Sequence, residues 1–302
     1  MPSVMQMEKI ANRIRQDIIK MLVAAGSGHS AGPLGMADVF TAVYFGGVAN
    51  VDPKKRHHPN RDRVVLSNAH ICPVLYATLA HRGYLPVSKL KTLRKLGSPL
   101  QGHSNNHFDI GIETSGGPLA QGISQAVGMA IAARMGTSSH VARRNVPVPA
   151  TRDAGRGTAF HTWCLMGDGE LDEGQCWEAF MLAGKMDLRE LTVLIDRNNI
   201  QIDGTTEQVM PLENLKNKLE AFNWFVIEVD GHNMREVLDA MREAKARAAN
   251  PTAIICHTIP GKGVDFMENK FEWHGKPPTP KEASIALKEL RTLGGKIKSE
   301  HE

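Results

Sequence analysis

The second half of the chain alternates between short apolar runs and longer amphipathic stretches. The apolar runs, which carry many β-branched residues, lie at 162–166, 191–195, 224–229 and 253–259. Between them, helical patterns occupy 170–186 and 234–249. Short strands that alternate with helices are typical of βαβ units. The pattern therefore predicts an α/β fold with an open, mainly parallel sheet and helices on both faces.

The first half follows the same plan less regularly. A short strand is predicted at 63–67, and helices are predicted at 7–25, 36–45, 69–82 and 118–135. Residues 137–161 are rich in Arg, Pro, Gly and Ser, which indicates a surface loop. We expect residues 1–302 to form a single domain, in which 277–302 is a proline-led tail that contains one helix.

Composition and charge exclude several classes of protein. Hydrophobic residues make up 42% and charged residues 23% of the 302 residues, as in ordinary globular proteins. The net charge of +4 is small, and nothing resembles a nucleic-acid-binding module. No run approaches the roughly 18 apolar residues of a membrane helix, and the polar N-terminus does not look like a signal peptide. We therefore expect a cytoplasmic protein that binds neither nucleic acid nor membrane.

Polar clusters follow two consecutive strands of the predicted sheet. Gly167-Asp168-Gly169 comes directly after the run at 162–166, and the sequence 196–200 (DRNNI) follows the next run. Asn198 lies 30 residues after Asp168, enough for one helix and one strand. Ligands of open α/β sheets collect beyond the carboxyl ends of the strands. An Asp between glycines is by itself typical of a plain turn, but a carboxylate and an amide at adjacent strand ends suit Mg²⁺.

A glycine-rich segment indicates an anion site. The sequence 114–122 (TSGGPLAQG) opens the predicted helix at 118–135. Free N–H groups and the positive end of the helix dipole favour phosphate at such a position. The alternative is that the glycines allow close helix packing, and both can hold together.

Four histidines lie in loops rich in Gly or Ser. The local sequences are GSGHSAGPLGMA around His29, LSNAH at His70, QGHS at His103 and EWHG at His274. Each alone would be explained as structural or simply exposed. Histidine can donate or accept a proton near neutrality, because its ordinary pKa lies near 6.5.

These motifs resemble a known family. GDG followed after 30 residues by Asn is the motif of thiamine-diphosphate enzymes, and residues 8–280 resemble the N-terminal, diphosphate-binding domain of transketolase. The resemblance implies that Mg²⁺ (or Ca²⁺ or Mn²⁺) is bound by Asp168, by the Asn198 side chain and by the Ile200 carbonyl. The metal would in turn hold the diphosphate of the cofactor.

The resemblance also assigns roles to further residues. It implies that four histidines line the substrate channel and assist proton transfers, with His70 and His274 also touching cofactor: His29, His70, His103 and His274. It implies further cofactor contacts from Gly117, Leu119, Gly167, Gly169 and Ile202. Glu173 would lie at a subunit interface and couple two cofactor sites, or else would be an ordinary acid at a helix start.

Two parts of the family's machinery are expected on another chain. The acid that faces the aminopyrimidine, and the apolar residue that bends the cofactor, belong to a pyrimidine-binding domain that we do not find here. Single-chain members are roughly twice as long. We therefore expect the N-terminal subunit of a split transketolase, which transfers a two-carbon ketol unit from a ketose to an aldose. Its partner would carry the pyrimidine-binding and C-terminal domains in an α2β2 assembly.

Alternatives stay open. A subunit of a 2-oxo acid dehydrogenase or decarboxylase, or a deoxyxylulose-phosphate synthase, also carries GDG and Asn, but would not be expected to show His29, His70 and His103 in these contexts. A non-catalytic α/β binding domain would keep the fold without the chemistry. The chain departs from the family pattern at Ala69 and Ala120, where glycine is usual, and in the residues after His29 and His70. These changes leave the cofactor assignment intact and the sugars undetermined.

Overall fold

Five parallel strands form the central sheet of the computed structural model, which describes residues 1–135 and 160–293. The strands of the described residues are β1 (Arg63–Leu66), β2 (Thr162–Gly167), β3 (Leu191–Arg197), β4 (Ile200–Gln201), β5 (Gly204–Thr205), β6 (Phe225–Asp230) and β7 (Thr252–His257). The spatial order is β1-β2-β3-β7-β6, and β4 and β5 form a separate antiparallel pair. The predicted parallel sheet is confirmed, with strand ends within one or two residues of the apolar runs.

Helices cover both faces of this sheet, as predicted. They are α1 (Val4–Ala25), α2 (Ala31–Gly35), α3 (Ala37–Phe45), α4 (Cys72–Arg82), α5 (Gln121–Met135), α6 (Gly174–Lys185), α7 (Thr206–Val209), α8 (Leu215–Ala221), α9 (Met234–Ala246) and α10 (Pro280–Leu293). Successive strand residues point to opposite faces. In β2, Trp163 packs into the core formed with α1, α3, α4 and α9, and Cys164 into the core formed with α5 and α6.

Several helix boundaries differ from the predictions, and α1 begins at Val4 and not at 7, while α6 begins at Gly174 and not at 170. The helix predicted from 118 begins only at Gln121, because Ala120 has a left-handed backbone with φ of +69°. Residues 69–71 form a tight 3₁₀ turn ahead of α4. The helix predicted to reach 249 ends at Ala246, because Arg247 is extended. The loop predicted for 137–161 lies almost wholly outside the described residues.

The predicted helix near the C-terminus packs on the domain. Leu290 and Ala286 of α10 are fully buried, and the Asn12 amide of α1 donates to the Leu290 carbonyl at 2.9 Å. Within the described ranges, no helix combines the length and apolar character needed to cross a membrane.

The sheet brings the predicted site segments to one edge. Because β1, β2, β3 and β7 run parallel, the segments that follow their carboxyl ends start side by side. These segments are 67–71, 168–172, 198–200 and 258–263.

Candidate active site

Asp168 is buried at the carboxyl end of β2 and is held by donors from the neighbouring loop. Its Oδ2 accepts from the Asn199 N–H at 2.7 Å and from Arg197 Nη1 at 3.2 Å. Its Oδ1 accepts from the Gly169 N–H at 2.8 Å. Burial raises the pKa of Asp168 to about 6, although these hydrogen bonds act in the opposite direction. A nearby divalent cation would favour the carboxylate that burial disfavours.

Asn198 is oriented by a carboxyl group that the sequence analysis missed. Its Nδ2 donates to Asp196 Oδ2 at 2.8 Å, and its Oδ1 accepts from the Ile200 N–H at 3.0 Å. The Thr258 hydroxyl donates to the other oxygen of Asp196 at 2.5 Å. Burial, together with the charge of Asp168, raises the pKa of Asp196 to about 7. Because Asp196 accepts the amide hydrogen, the amide oxygen is left on the side of Ile200.

These groups form an oxygen donor set with few anionic members. Within residues 1–135 and 160–293, no group of three or more His, Cys, Asp or Glu side chains could hold a metal ion. The predicted ligands are one carboxylate, one amide oxygen and one backbone carbonyl. Mg²⁺ keeps few protein ligands and completes its octahedron with phosphate oxygens and water. The residues present therefore fit a cation that binds together with a diphosphate.

The glycine-rich segment before α5 lies against the segment after β1. A Cβ on Gly116 would come within 2.3 Å of the Ala69 Cβ, and one on Gly122 within 2.4 Å of the Ser67 Cα. Close packing, the alternative considered from the sequence, is therefore the role of these two glycines. Gly117 differs, because a Cβ there would meet nothing within 4 Å. A phosphate could approach the backbone at that position.

The four predicted histidines form one cluster. Ring centroids lie 4.8 Å apart for His29 and His70, 5.1 Å for His70 and His274, and 5.5 Å for His29 and His274. His103 lies further out, with its centroid 6.4 Å from that of His29. Residues separated by up to 245 positions are thus brought to one place. Imidazoles at this spacing can bind several hydroxyl groups of one sugar.

Burial favours the neutral form of each histidine in this cluster. It lowers the pKa of His29 to about 4, with contributions from His274, Arg94 and His103. Burial likewise lowers the pKa of His70, well below its usual value, and that of His274 and His103. Neutral imidazoles can each donate and accept one hydrogen bond near pH 7. The Nδ1 of His29 is buried and has no protein partner in the described residues.

Two other buried polar atoms accompany the histidines. Asn68 Oδ1 and Ser104 Oγ, next to the loops of His70 and His103, have no hydrogen-bond partner among the described residues. Buried polar groups are usually satisfied, and exceptions cluster where a ligand or water completes the network.

The remaining predicted residues are less enclosed. Leu119 is half-buried, whereas Glu173 and Ile202 are exposed. Glu173 directly precedes α6 but makes no capping hydrogen bond through its side chain. Gly167 and Gly169 allow neighbouring side chains to pack closely against the backbone. A Cβ on Gly167 would lie 3.2 Å from the Asn68 Nδ2, and one on Gly169 would lie 3.3 Å from the Gln201 Cβ.

A comparison of the sequence with known proteins matches it to one family. Residues 6–295 match the family described as "Transketolase, thiamine diphosphate binding domain". The chain is 39% identical over 284 residues to the 6-deoxy-6-sulfo-D-fructose transketolase subunit SqwG of Clostridium sp. strain MSTE9, covering 94% of this chain and 96% of that protein. It is 34% identical over 300 residues to one subunit of the apulose-4-phosphate transketolase of Phocaeicola vulgatus, covering 98% of this chain and 99% of that protein.

The fold also matches that of solved transketolase structures. The transketolase of Campylobacter jejuni superimposes with a TM-score of 0.81 at 31% identity, covering 98% of this chain and 43% of that one. The chain thus spans less than half the length of that transketolase, and nearly the full length of the two relatives named as subunits. This chain belongs to the transketolase family and corresponds to the family's thiamine diphosphate-binding domain.

Proposed function

We propose that this chain is the diphosphate-binding subunit of a two-chain transketolase, which moves a two-carbon ketol unit from a ketose to an aldose. A separate chain would supply the pyrimidine-binding and C-terminal domains, in an assembly of two copies of each. The match to relatives named as subunits, over almost their whole length, supports this division. The four cysteines are buried free thiols, which supports a cytoplasmic location.

The convergence of Asp168 and Asn198 at adjacent strand ends is the observation that carries the proposal. In our proposal, Mg²⁺ is held by the Asp168 carboxylate, the Asn198 amide oxygen and the Ile200 carbonyl, and it anchors the diphosphate. Gly117 leaves room for the cofactor to approach the backbone closely. We also place Gly167 and Gly169, which pack against Asn68 and Gln201, beside the cofactor. When bound, thiamine diphosphate supplies the carbanion that carries the two-carbon unit.

The histidines are the groups of this chain that bind the sugar and transfer its protons. His29, His70, His103 and His274 donate and accept hydrogen bonds at the ketose hydroxyls and carbonyl, and they move protons between these oxygens. Their lowered pKa values support this role, because a neutral imidazole can act as either donor or acceptor.

Three predicted residues are exposed or half-buried at the edge of the site. We place Glu173 at the contact with the partner chain, where it couples two cofactor sites. Ile202 is 68% exposed and Leu119 is half-buried, and we place both against the thiazolium ring. Contact with a cofactor or a partner chain would remove such an apolar side chain from water, which is favourable.

The test is to co-express this chain with a candidate partner and to screen ketose donors. The two relatives are named for a sulfonated and a phosphorylated sugar, so the screen should contain sulfonated, phosphorylated and branched ketoses with several aldose acceptors. We expect turnover that depends on Mg²⁺ and thiamine diphosphate and on both chains. A complex that binds no thiamine diphosphate would contradict the proposal.

A further inference from the structure

We infer that Glu170, which lies outside the predicted cofactor residues, is a positioning residue that locks together the three segments of the diphosphate site. The inference deepens the proposed function and rests on it. Glu170 does not itself reach the cofactor in this account. It acts by fixing the backbone of the residues that do.

The Glu170 carboxylate accepts hydrogen bonds from three separate segments. Its Oε1 accepts from the Ser67 hydroxyl at 2.5 Å and from the Ala120 N–H at 2.6 Å. Its Oε2 accepts from the Gly167 N–H at 3.3 Å. The side chain is buried, since Glu170 is only 2% exposed.

Each donor stands next to residues of the candidate site. Ser67 directly follows β1 and lies three residues before His70. Ala120 closes the turn after Gly117, and Gly167 directly precedes Asp168. The first two donors are 103 and 50 residues away from Glu170 in sequence. A single carboxylate therefore sets the relative position of the histidine loop, the glycine-rich segment and the metal-binding turn.

The bond to Ala120 has a particular consequence. Ala120 has φ of +69°, a left-handed conformation that is unfavourable for a residue with a Cβ. Residues in such conformations persist only where their surroundings hold them. The short bond to Glu170 is such a constraint, and it determines where the glycine-rich segment ends and where α5 starts.

The backbone of Glu170 is itself anchored. The Cys176 thiol donates to the Glu170 carbonyl at 3.2 Å, and the Trp177 indole donates to the Leu171 carbonyl at 2.9 Å. Both donors belong to α6. Within the described residues, Glu170 forms no ion pair, so this buried carboxyl group has no counter-ion there. Such burial is costly, and its three hydrogen bonds supply the reason for it.

The experiment compares cofactor affinity in the two-chain complex, measured by calorimetric titration of thiamine diphosphate at fixed excess Mg²⁺. Glu170→Gln keeps the size of the side chain, but it replaces one carboxylate oxygen by an amide nitrogen, which cannot accept from a backbone N–H. We expect its Kd to rise about tenfold or more, as one unpaired buried donor predicts. Because bound cofactor favours the ordered arrangement of these segments, kcat at saturating cofactor should change by a smaller factor than the Kd.

Glu190→Gln is the matched control. Glu190 is also buried, with its side chain only 1% exposed, but it pairs with Arg134 at the opposite, amino end of β3. We expect Glu190→Gln to lower stability while leaving the Kd of the cofactor unchanged. A general loss of stability would instead raise the Kd in both variants, and that result would overturn the inference.

Further outcomes separate this inference from the proposed function. If the wild-type complex binds no cofactor, the proposed function fails. If the wild type binds and Glu170→Gln binds equally well, only the inference fails. Should Glu170→Gln not fold, Ser67→Ala removes one donor alone, and we expect its Kd to rise about threefold to tenfold. An unchanged Kd in that variant would also overturn the inference.

Discussion

Replacing Asp168 by Asn should stabilise the chain while abolishing its cofactor site. Burial raises the pKa of Asp168 from 3.8 to about 6, so the native state binds the proton more tightly than the unfolded chain does. Ionisation therefore costs stability. The stability lost through ionisation of Asp168 is absent below about pH 4, grows as the pH rises, and is complete above about pH 6. The difference of about two pKa units between the folded and unfolded states corresponds to about 3 kcal/mol.

Asn has nearly the same shape and carries no charge to bury. It loses part of the hydrogen bonding to Asn199 and Arg197, which reduces the gain. We therefore expect Asp168→Asn to raise the free energy of unfolding at pH 8 by about 1–3 kcal/mol, which raises the Tm by a few degrees. The assay is urea denaturation and thermal melting of the purified chain without cofactor.

Asp62→Asn is the control for this prediction. Asp62 is also buried, but the effect of burial on its pKa is outweighed by hydrogen bonds from Lys245, Asn50 and His161, which lower that pKa. Its replacement should therefore destabilise the chain. In the two-chain complex, thiamine diphosphate with Mg²⁺ should raise the Tm of the wild type and leave that of Asp168→Asn unchanged. A loss of stability in Asp168→Asn, or a cofactor-induced shift as large as in the wild type, would refute the reasoning.

Three other predictions concern the complex. Cofactor affinity in the presence of Mg²⁺ should fall as the pH drops below about 6, because Asp168 then binds a proton in place of the cation. A calorimetric affinity that stays constant from pH 8 to pH 5 would contradict this prediction. His103→Ala should lower kcat about tenfold to hundredfold and leave the Kd of the cofactor unchanged, and steady-state kinetics with normal turnover would exclude a catalytic role. The purified single chain should transfer no ketol unit until its partner is added, and robust turnover by that chain alone would count against a split enzyme.

The sheet was predictable because its signal is local. The runs at 162–166 and 191–195 are short, apolar and flanked by helical patterns, and they form adjacent parallel strands. The positions of Asp168 and Asn198 follow from the same logic, since polar residues after parallel strands share one edge. Helix starts were harder to predict. Helix propensity does not predict the left-handed backbone of Ala120, whose N–H donates to the carboxylate of a residue 50 positions away.

The supporting carboxyl groups could not be predicted in the same way. Glu170 lies among acids at the start of a helical pattern, where a solvated or dipole-paired role is the ordinary expectation. Its partners Ser67 and Ala120 become neighbours only through the packing of β1, β2 and α5. Asp196 carried a weak signal, as an acid at the end of an apolar run two residues before Asn198. The clustering of the histidines was implied by family resemblance and not by their spacing.

In the proposed site, an acid and an amide at two adjacent strand ends hold one cation. A crystal structure of the two-chain complex with thiamine diphosphate and Mg²⁺ tests it most directly. We expect the ion about 2.0–2.2 Å from an Asp168 carboxylate oxygen, the Asn198 amide oxygen and the Ile200 carbonyl, with the diphosphate beside Gly117. A cation bound at other residues, or a diphosphate bound away from these strand ends, would contradict the account.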